Sequence, residues 1–438
     1  MSSQRVIRTY LLVAGLYTLA ASLIWGVNTL FLLDAGLSVF EVFIANAAFT
    51  AGMVLFEIPT GVVADTAGRR VSFLWSLAVL LMGTLAYLGL AAAGAGVIAF
   101  SIVSVFLGPG FTFYTGAVEA WVVDALSQTD YEGPLDRVFT RGGIVTGAAM
   151  LVGTIGGGLL GTIDLAIPYV VRSALLGAVF LVASRAMHDI GFEPRRLEAA
   201  QYPAEMRRVA RAGLTTGWGD PSIRLILAVT MLQMGIFTWV FYAWPPYFLD
   251  LLDSDAVWIA GLVAGGIAIS MMAGNALAAA LTRLVERRTT IMLGAVAVQG
   301  AAIVVVGLAD TFWIAAPALL LATATMGIIG PVKQSYLNQR ITSEERATVL
   351  SIDSLSGSLG AVVSQVGLGR IADAASFSTA FIAAGLVSLL ALAPLRALAG
   401  RHDDADLIAD SPPHAHAASA AERLPDIATV DTVAHRNP

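Results

Sequence analysis

The sequence predicts an all-α membrane protein: twelve transmembrane helices in two pseudo-symmetric six-helix bundles, with both termini cytoplasmic. Three observations predict it. Of 438 residues, 57% are hydrophobic and only 13% are charged, roughly half the charged fraction of an average soluble domain. Apolar runs of about 20 residues or more, long enough to cross a bilayer as helices, recur along the chain. The basic residues sort to alternate connections between those runs.

The runs fall at roughly 9–33, 39–63, 71–93, 96–122, 142–163, 166–187, 223–249, 256–280, 289–309, 312–336, 347–369 and 376–398. Met1 to Arg8 is short and basic and leads into about 25 apolar residues. That is longer than the core of a cleaved signal peptide, so it reads as a retained first span. With the N-terminus inside, every Lys and Arg except Arg172 and Arg370 falls in a cytoplasmic connection or at a cytoplasmic helix end. The outer turns carry Asp34, Glu41, Asp164, Asp250, Asp253, Asp255, Asp310 and Asp373. Acidic residues count little in orientation; the arginine asymmetry sets it.

The longest internal gap, 188–222, holds Arg195, Arg196, Arg207, Arg208 and Arg211. It reads as a cytoplasmic linker between an N-terminal bundle, 1–187, and a C-terminal bundle, 223–398. Superposing Arg69-Arg70 on Arg287-Arg288 gives an offset of 218 that lays the first span onto the seventh. Related halves are what a transporter-type fold predicts. The remainder, 399–438, is rich in Ala, Asp, His and Pro and reads as a disordered cytoplasmic tail. His414 and His416 there fit a solvated tail better than a metal site.

Between the second and third spans stands Gly61-Val-Val-Ala-Asp65-Thr-Ala-Gly68-Arg69-Arg70. Gly61 would let helices approach, and Gly68 can adopt a turn conformation that other residues resist. The spacing G-x-x-x-D-x-x-G-R-R, in the second of twelve spans, resembles the signature loop of the major facilitator superfamily of secondary transporters. The resemblance implies two six-helix bundles that rock about a central site, with this loop helping to hold the outward-open state. It implies that Asp65 faces the N-terminus of the eleventh helix, where the dipole favours a carboxylate. That helix starts after Thr342-Ser-Glu-Glu345, a capping-box pattern. Asp124, at the inner end of helix four, is placed to pair with Arg69 or Arg70.

Helix four carries Ser104, Gly108, Thr112, Thr115 and Glu119 at spacings of 4, 4, 3 and 4, one small and polar face. Such a face looks at a neighbouring helix or a water-filled cavity; the cavity is expected here. Gly108-Pro109-Gly110 should kink the helix. Glu57 lies about 12 Å inward from Asp65, and Asp353 about 10 Å inward from Arg346, at 1.5 Å per residue. Carboxylates at that depth are protonated, paired or facing water. Glu57, Glu119 and Asp353, in that order, are candidates for proton coupling; the competing reading is a structural hydrogen bond or a buried pair with Lys333 or Arg141. Helix five has Gly153, Gly156, Gly157 and Gly158, a partial match to the antiporter pattern G-P-x-x-G-G with Thr154 in the proline position. Gly153, Gly157 and Gly161, and on helix eight Gly266, Ser270, Gly274 and Ala278, also form packing faces. Helix seven ends in Trp239, Phe241, Tyr242, Trp244, Pro245, Pro246, Tyr247 and Phe248. That cluster reads as an interfacial belt or an aromatic gate, with the prolines breaking or bending the outer part of the helix. Trp25, Asn28, Gln233, Gln334, Asn338 and Lys333, the only lysine, complete the cavity candidates.

No cysteine is present, which excludes disulfides and thiol chemistry. No phosphate-binding G-x-x-x-x-G-K-[ST] loop occurs, nor any His/Glu metal pattern on a span, and the linker is too short and acid-mixed for nucleic acid. No cofactor is expected. The expectation is a non-enzymatic, monomeric carrier in a bacterial inner membrane. It would exchange protons for a small amphipathic or hydrophobic compound. The alternatives are uptake by symport or uniport, or a transporter-like sensor or assembly protein.

Overall fold

The computed structural model describes residues 2–129, 131–191, 219–253, 256–341 and 346–408, except the side chains of Ile58, Asp65, Ala347 and Thr348. The linker arginines, the Thr342–Glu345 cap, the His414/His416 tail and the Asp65 carboxylate lie outside the described set.

The described chain is helical. In order come α1 (Ser3–Ser22), α2 (Asn28–Asp34), α3 (Val39–Ala67), α4 (Arg69–Ala92), α5 (Val97–Thr112), α6 (Ala117–Ser127), α7 (Leu135–Gly161) and α8 (Ile167–Ala186). Then follow α9 (Pro221–Leu252), α10 (Val257–Leu281), α11 (Arg288–Leu308), α12 (Phe312–Arg340), α13 (Arg346–Ala374), α14 (Phe377–Leu389) and α15 (Leu392–Ala399). Among the described residues, eleven segments are long and apolar enough to cross a membrane, where twelve are expected. The first expected span is split: helix stops at Ser22 and resumes at Asn28, with Trp25 and Gly26 in the break.

The fourth run stays helical through Gly108-Pro109-Gly110 and breaks after Thr112, where Gly116 is left-handed at φ 77°. Ser76 Oγ donates to the Gly110 carbonyl at 2.6 Å and Ser72 Oγ to the Phe113 carbonyl at 2.9 Å, so α4 satisfies carbonyls around the break. Of the break or bend expected at Pro245-Pro246, no break occurs: α9 runs through the pair. Pro246 has no N–H for the carbonyl four residues earlier, Tyr242. That carbonyl instead accepts the Thr29 hydroxyl of α2 at 2.7 Å.

The signature stretch is mostly helix. α3 continues to Ala67, and one residue, Gly68 at φ 108° and ψ 155°, turns the chain into α4. That conformation is nearly restricted to glycine. A side chain there would also meet the Asp189 carboxylate. The far end of the helices lies opposite Gly68.

Packing contacts divide the helices into α1–α8 and α9–α15, with three bridging seams: α2 on α9, α3 on α13, and α7 on α10. The internal symmetry expected from the arginine pairs is visible in their caps. The Arg70 amide donates to Asp189 after α8 at 2.9 Å, and the Thr289 amide donates to Asp406 after α15 at 2.7 Å. Donors and acceptors each lie within one residue of the 218-residue offset.

Candidate functional site

Between the two helix groups lies a cavity of about 620 Å³. Apolar side chains dominate its wall: Trp25, Phe49, Phe111, Phe237, Phe241 and several methionines, including Met53, Met150 and Met271. Its polar groups gather on the α1–α8 side. Tyr169 donates to Asn28 Oδ1 at 2.9 Å, and Asn28 Nδ2 donates to Asn46 Oδ1 at 3.0 Å. Arg172 Nε donates to Thr84 Oγ1 at 3.2 Å and its Nη1 to the Ala21 carbonyl at 3.1 Å. A Tyr87–Ser104 hydroxyl pair at 2.5 Å stands beside them.

The far end of the cavity is roofed by the seams. Trp25 meets Phe241 edge-on at 6.3 Å, and Phe43 stacks on Trp239 at 5.7 Å. Gln365 donates to Thr50 at 3.1 Å, the Phe40 amide donates to Asp373, and Arg370 lies over the Phe40 ring. At the α7–α10 seam, a side chain on Gly158 would collide with the Gly261 backbone, so these two glycines set the closest approach.

Of the cavity candidates, Trp25, Asn28 and Tyr242 line the wall. The others are corrected. Gly108 packs on the Gly52–Met53 backbone, and Thr112 accepts from Thr60 of α3 at 3.0 Å, so this face of α5 looks at a helix. Thr115, past the break, bonds back to the Thr112 carbonyl and does not line the cavity. Gln233 is buried and donates to the Ser388 carbonyl inside its own group. Trp239, Trp244, Tyr247 and Phe248 are core residues rather than an interfacial belt, because α11, α12 and α14 cover them. Gln334 is half-buried and off the cavity wall. Arg172, which the sequence places towards the outside and offers beside Lys333 as a cavity cation, is 7% exposed and lines the cavity.

The proton-coupling candidates separate. Asp353 realises the competing reading: its Oδ2 lies 2.5 Å from Lys333 Nζ, and Thr230 Oγ1 donates to its Oδ1 at 2.5 Å. Lys333 also donates to Thr230, so it is committed to this triad and not to the cavity. Glu57 and Glu119 are exposed. Glu119 is in electrostatic reach of Tyr10 and Tyr114.

At the Gly68 end, Arg69 Nε lies 3.8 Å from Asp124, as the spacing suggests. Arg70 turns to the end of α8 and donates to the Ser184 carbonyl at 2.8 Å. Gly61 is exposed with open space beside it, so it permits no close approach here. The small faces pack: helices five and eight meet at the α7–α10 seam, where Gly161 faces Val257, and the other small residues pack on further partners. Gly153 and Gly157 meet α1 and Leu23, while Gly266, Ser270 and Gly274 meet Leu320, Thr323 and Ala324 of α12.

Residues the sequence reading did not single out are Asn46, Thr84, Tyr87 and Tyr169. Asn46 and Thr50 on α3, like Thr84 and Tyr87 on α4, are polar pairs at helical spacing inside apolar runs, which is the signal that finds them.

A sequence model of the Major Facilitator Superfamily matches residues 10–364. A tetracycline resistance protein, class G, of Vibrio anguillarum is 25% identical over 260 residues, 56% of this chain. The chain spans 63% of that relative's length. Among solved structures, the nucleoside transporter NupG superposes with TM-score 0.72 at 12% identity, covering 90% of this chain and 98% of its own. The POT family transporter PepTSo superposes with TM-score 0.69 at 14% identity, covering 91% and 99%.

Proposed function

This chain belongs to the Major Facilitator Superfamily, and from that premise we propose a secondary transporter that exports a small amphipathic compound in exchange for protons by alternating access. The observation that carries the proposal is the largely apolar cavity between two helix groups, roofed at one end by seams of aromatic and glycine contacts. A cavity of that size takes a drug-sized molecule, and its wall suits an apolar body held by few polar groups. α1–α8, with 1–187, form one bundle and α9–α15, with 223–398, the other; α1 and α2 together make the twelfth crossing. The far end is the outer side of a bacterial inner membrane. The likeness to a resistance protein supports the outward direction.

In this cycle the far-end seams separate while the Gly68 end closes, with Arg69, Arg70, Asp124 and Asp65 at the moving joint. Glu57, then Glu119, carries the proton, because each is a carboxylate on a span without a described ion-pair partner. The carrier residue releases its proton to the cytoplasm as substrate binds and is reprotonated from outside.

The test is proton flux in inside-out vesicles with an acid interior, challenged with amphipathic cations, anions and neutral antibiotics. Substrate-triggered proton release that is lost in Glu57→Gln or Glu119→Gln supports the reading. A compound that crosses by counterflow without moving protons refutes the coupling.

A further inference from the structure

We propose that the transported compound carries one anionic group, a carboxylate or sulfonate, and that Arg172 of α8 receives it. This rests on the transport reading above and deepens it by naming the substrate class.

Arg172 is 7% exposed on a helix that is itself long and apolar enough to span the membrane. A guanidinium stays protonated and offers five N–H donors. Two are used, by the Thr84 hydroxyl and the Ala21 carbonyl, both neutral acceptors. Among the described residues no carboxylate lies within ion-pair distance of it. The other buried or nearly buried cations on the spans are accounted for differently: Lys333 has Asp353, and Arg288 donates to the Ala405 and Leu407 carbonyls beside Asp406. A buried cation without a counter-ion is costly, and the cost is removed when an anion arrives.

The position of Arg172 turns that imbalance into a binding site. It lines the cavity, with the Nη2 hydrogens and one Nη1 hydrogen unclaimed by the protein. Tyr169, one turn earlier on the same face, anchors Asn28, which anchors Asn46. Asn46 is 5% exposed, and its Nδ2 is buried with no acceptor. An unused guanidinium fork and an unused amide thus sit on one wall of an otherwise aromatic and methionine-rich chamber. Hydroxyls and aromatic rings would satisfy a neutral ligand; the fork matches the two oxygens of a carboxylate or sulfonate. The apolar remainder of the ligand would lie against Trp25, Phe237 and Phe241.

The test is binding to the full-length protein in detergent by calorimetry, which needs no transport. The probes are 2-naphthoate, 2-naphthalenesulfonate and the neutral 2-naphthamide. The expected result is that the anions bind at least about ten-fold tighter than the amide, about 1.4 kcal/mol. Arg172→Gln should remove that preference, and Arg172→Lys should retain part of it. Thermal unfolding followed by tryptophan fluorescence and monodisperse elution in detergent show that both variants still fold. Equal affinity for amide and anions, no anion binding, or a preference that survives Arg172→Gln would each overturn the proposal. Proton flux triggered by a cationic compound, with no anion binding, would overturn it while leaving the transport reading intact.

Discussion

The Lys333–Asp353 pair is the point where substitution should tell most about how the second helix group is held together. The two side chains are 15% and 11% exposed, their charged atoms lie 2.5 Å apart, and Thr230 closes the triangle from α9. Three helices, α9, α12 and α13, are therefore tied by one charge-assisted cluster. Removing one partner strands the other charge away from water, which costs about 3–5 kcal/mol in buried pairs. The small residual exposure points to the lower edge, about 3 kcal/mol. Replacing both partners with neutral residues strands nothing, so Lys333→Met with Asp353→Asn should be less destabilised than either single variant. The coupling energy of the cycle should then be about 2 kcal/mol or more. Denaturant titration in mixed micelles, followed by tryptophan fluorescence, measures all four proteins. Single variants that lose less than about 1 kcal/mol, or losses that simply add in the double variant, would refute the reasoning.

Other consequences follow from contacts around the seams and the C-terminal cap. Gly158→Val inserts atoms where the Gly261 backbone already sits, and should cost about 1–3 kcal/mol, whereas Gly156→Val, facing open space, should cost far less by the same titration. Thr29→Val leaves the Tyr242 carbonyl unpaired and should lose roughly 1 kcal/mol; in a Pro246→Ala background, where the helix supplies its own donor, the loss should shrink towards zero. Burial pushes the Asp403 carboxyl up, but hydrogen bonds from Ser222 and Tyr336 and the charges of Arg340 and Arg401 outweigh it and hold it below its ordinary value. Folding thus favours the charged form: the contribution is complete above the unfolded value of about 3.9 and is lost as pH falls through the lowered folded value. Unfolding curves of Asp403→Asn should therefore converge with wild type on the acid side and fall below it at neutral pH.

What the sequence reveals and what it hides divide along physical lines. Gly68 is legible because a positive φ demands glycine, and Arg69 with Asp124 because charges at helix ends have few places to go. Asp189 is not legible as the cap of α4, since its partner is a backbone amide more than a hundred residues away. Periodicity finds the small polar face of α5 but cannot say which neighbour it meets, so Gly108 and Thr112 look like cavity residues when they pack on α3. Aromatic residues at the end of a span look interfacial in one dimension; Trp239 and Trp244 are buried because α11, α12 and α14 close over them. The proline pair looks like a break because the sequence cannot show that Thr29 of another helix takes up the carbonyl it frees. Arg172 is legible as a cation near the outer end of its span and as a cavity candidate, but not its partners, since Thr84 and the Ala21 carbonyl belong to other helices.

The central claim is that the two ends open in turn, and paired distances test it most directly. The chain has no cysteine, so two introduced cysteines can be spin-labelled without background. Ala93 and Asp310 report the far end, and Ser127 and Leu284 report the Gly68 end. In lipid nanodiscs, changing from acidic to alkaline buffer or adding a bound ligand should shift populations in opposite senses, one pair lengthening as the other shortens. Two distances that stay single and fixed under every condition, or that lengthen together, would contradict alternating access.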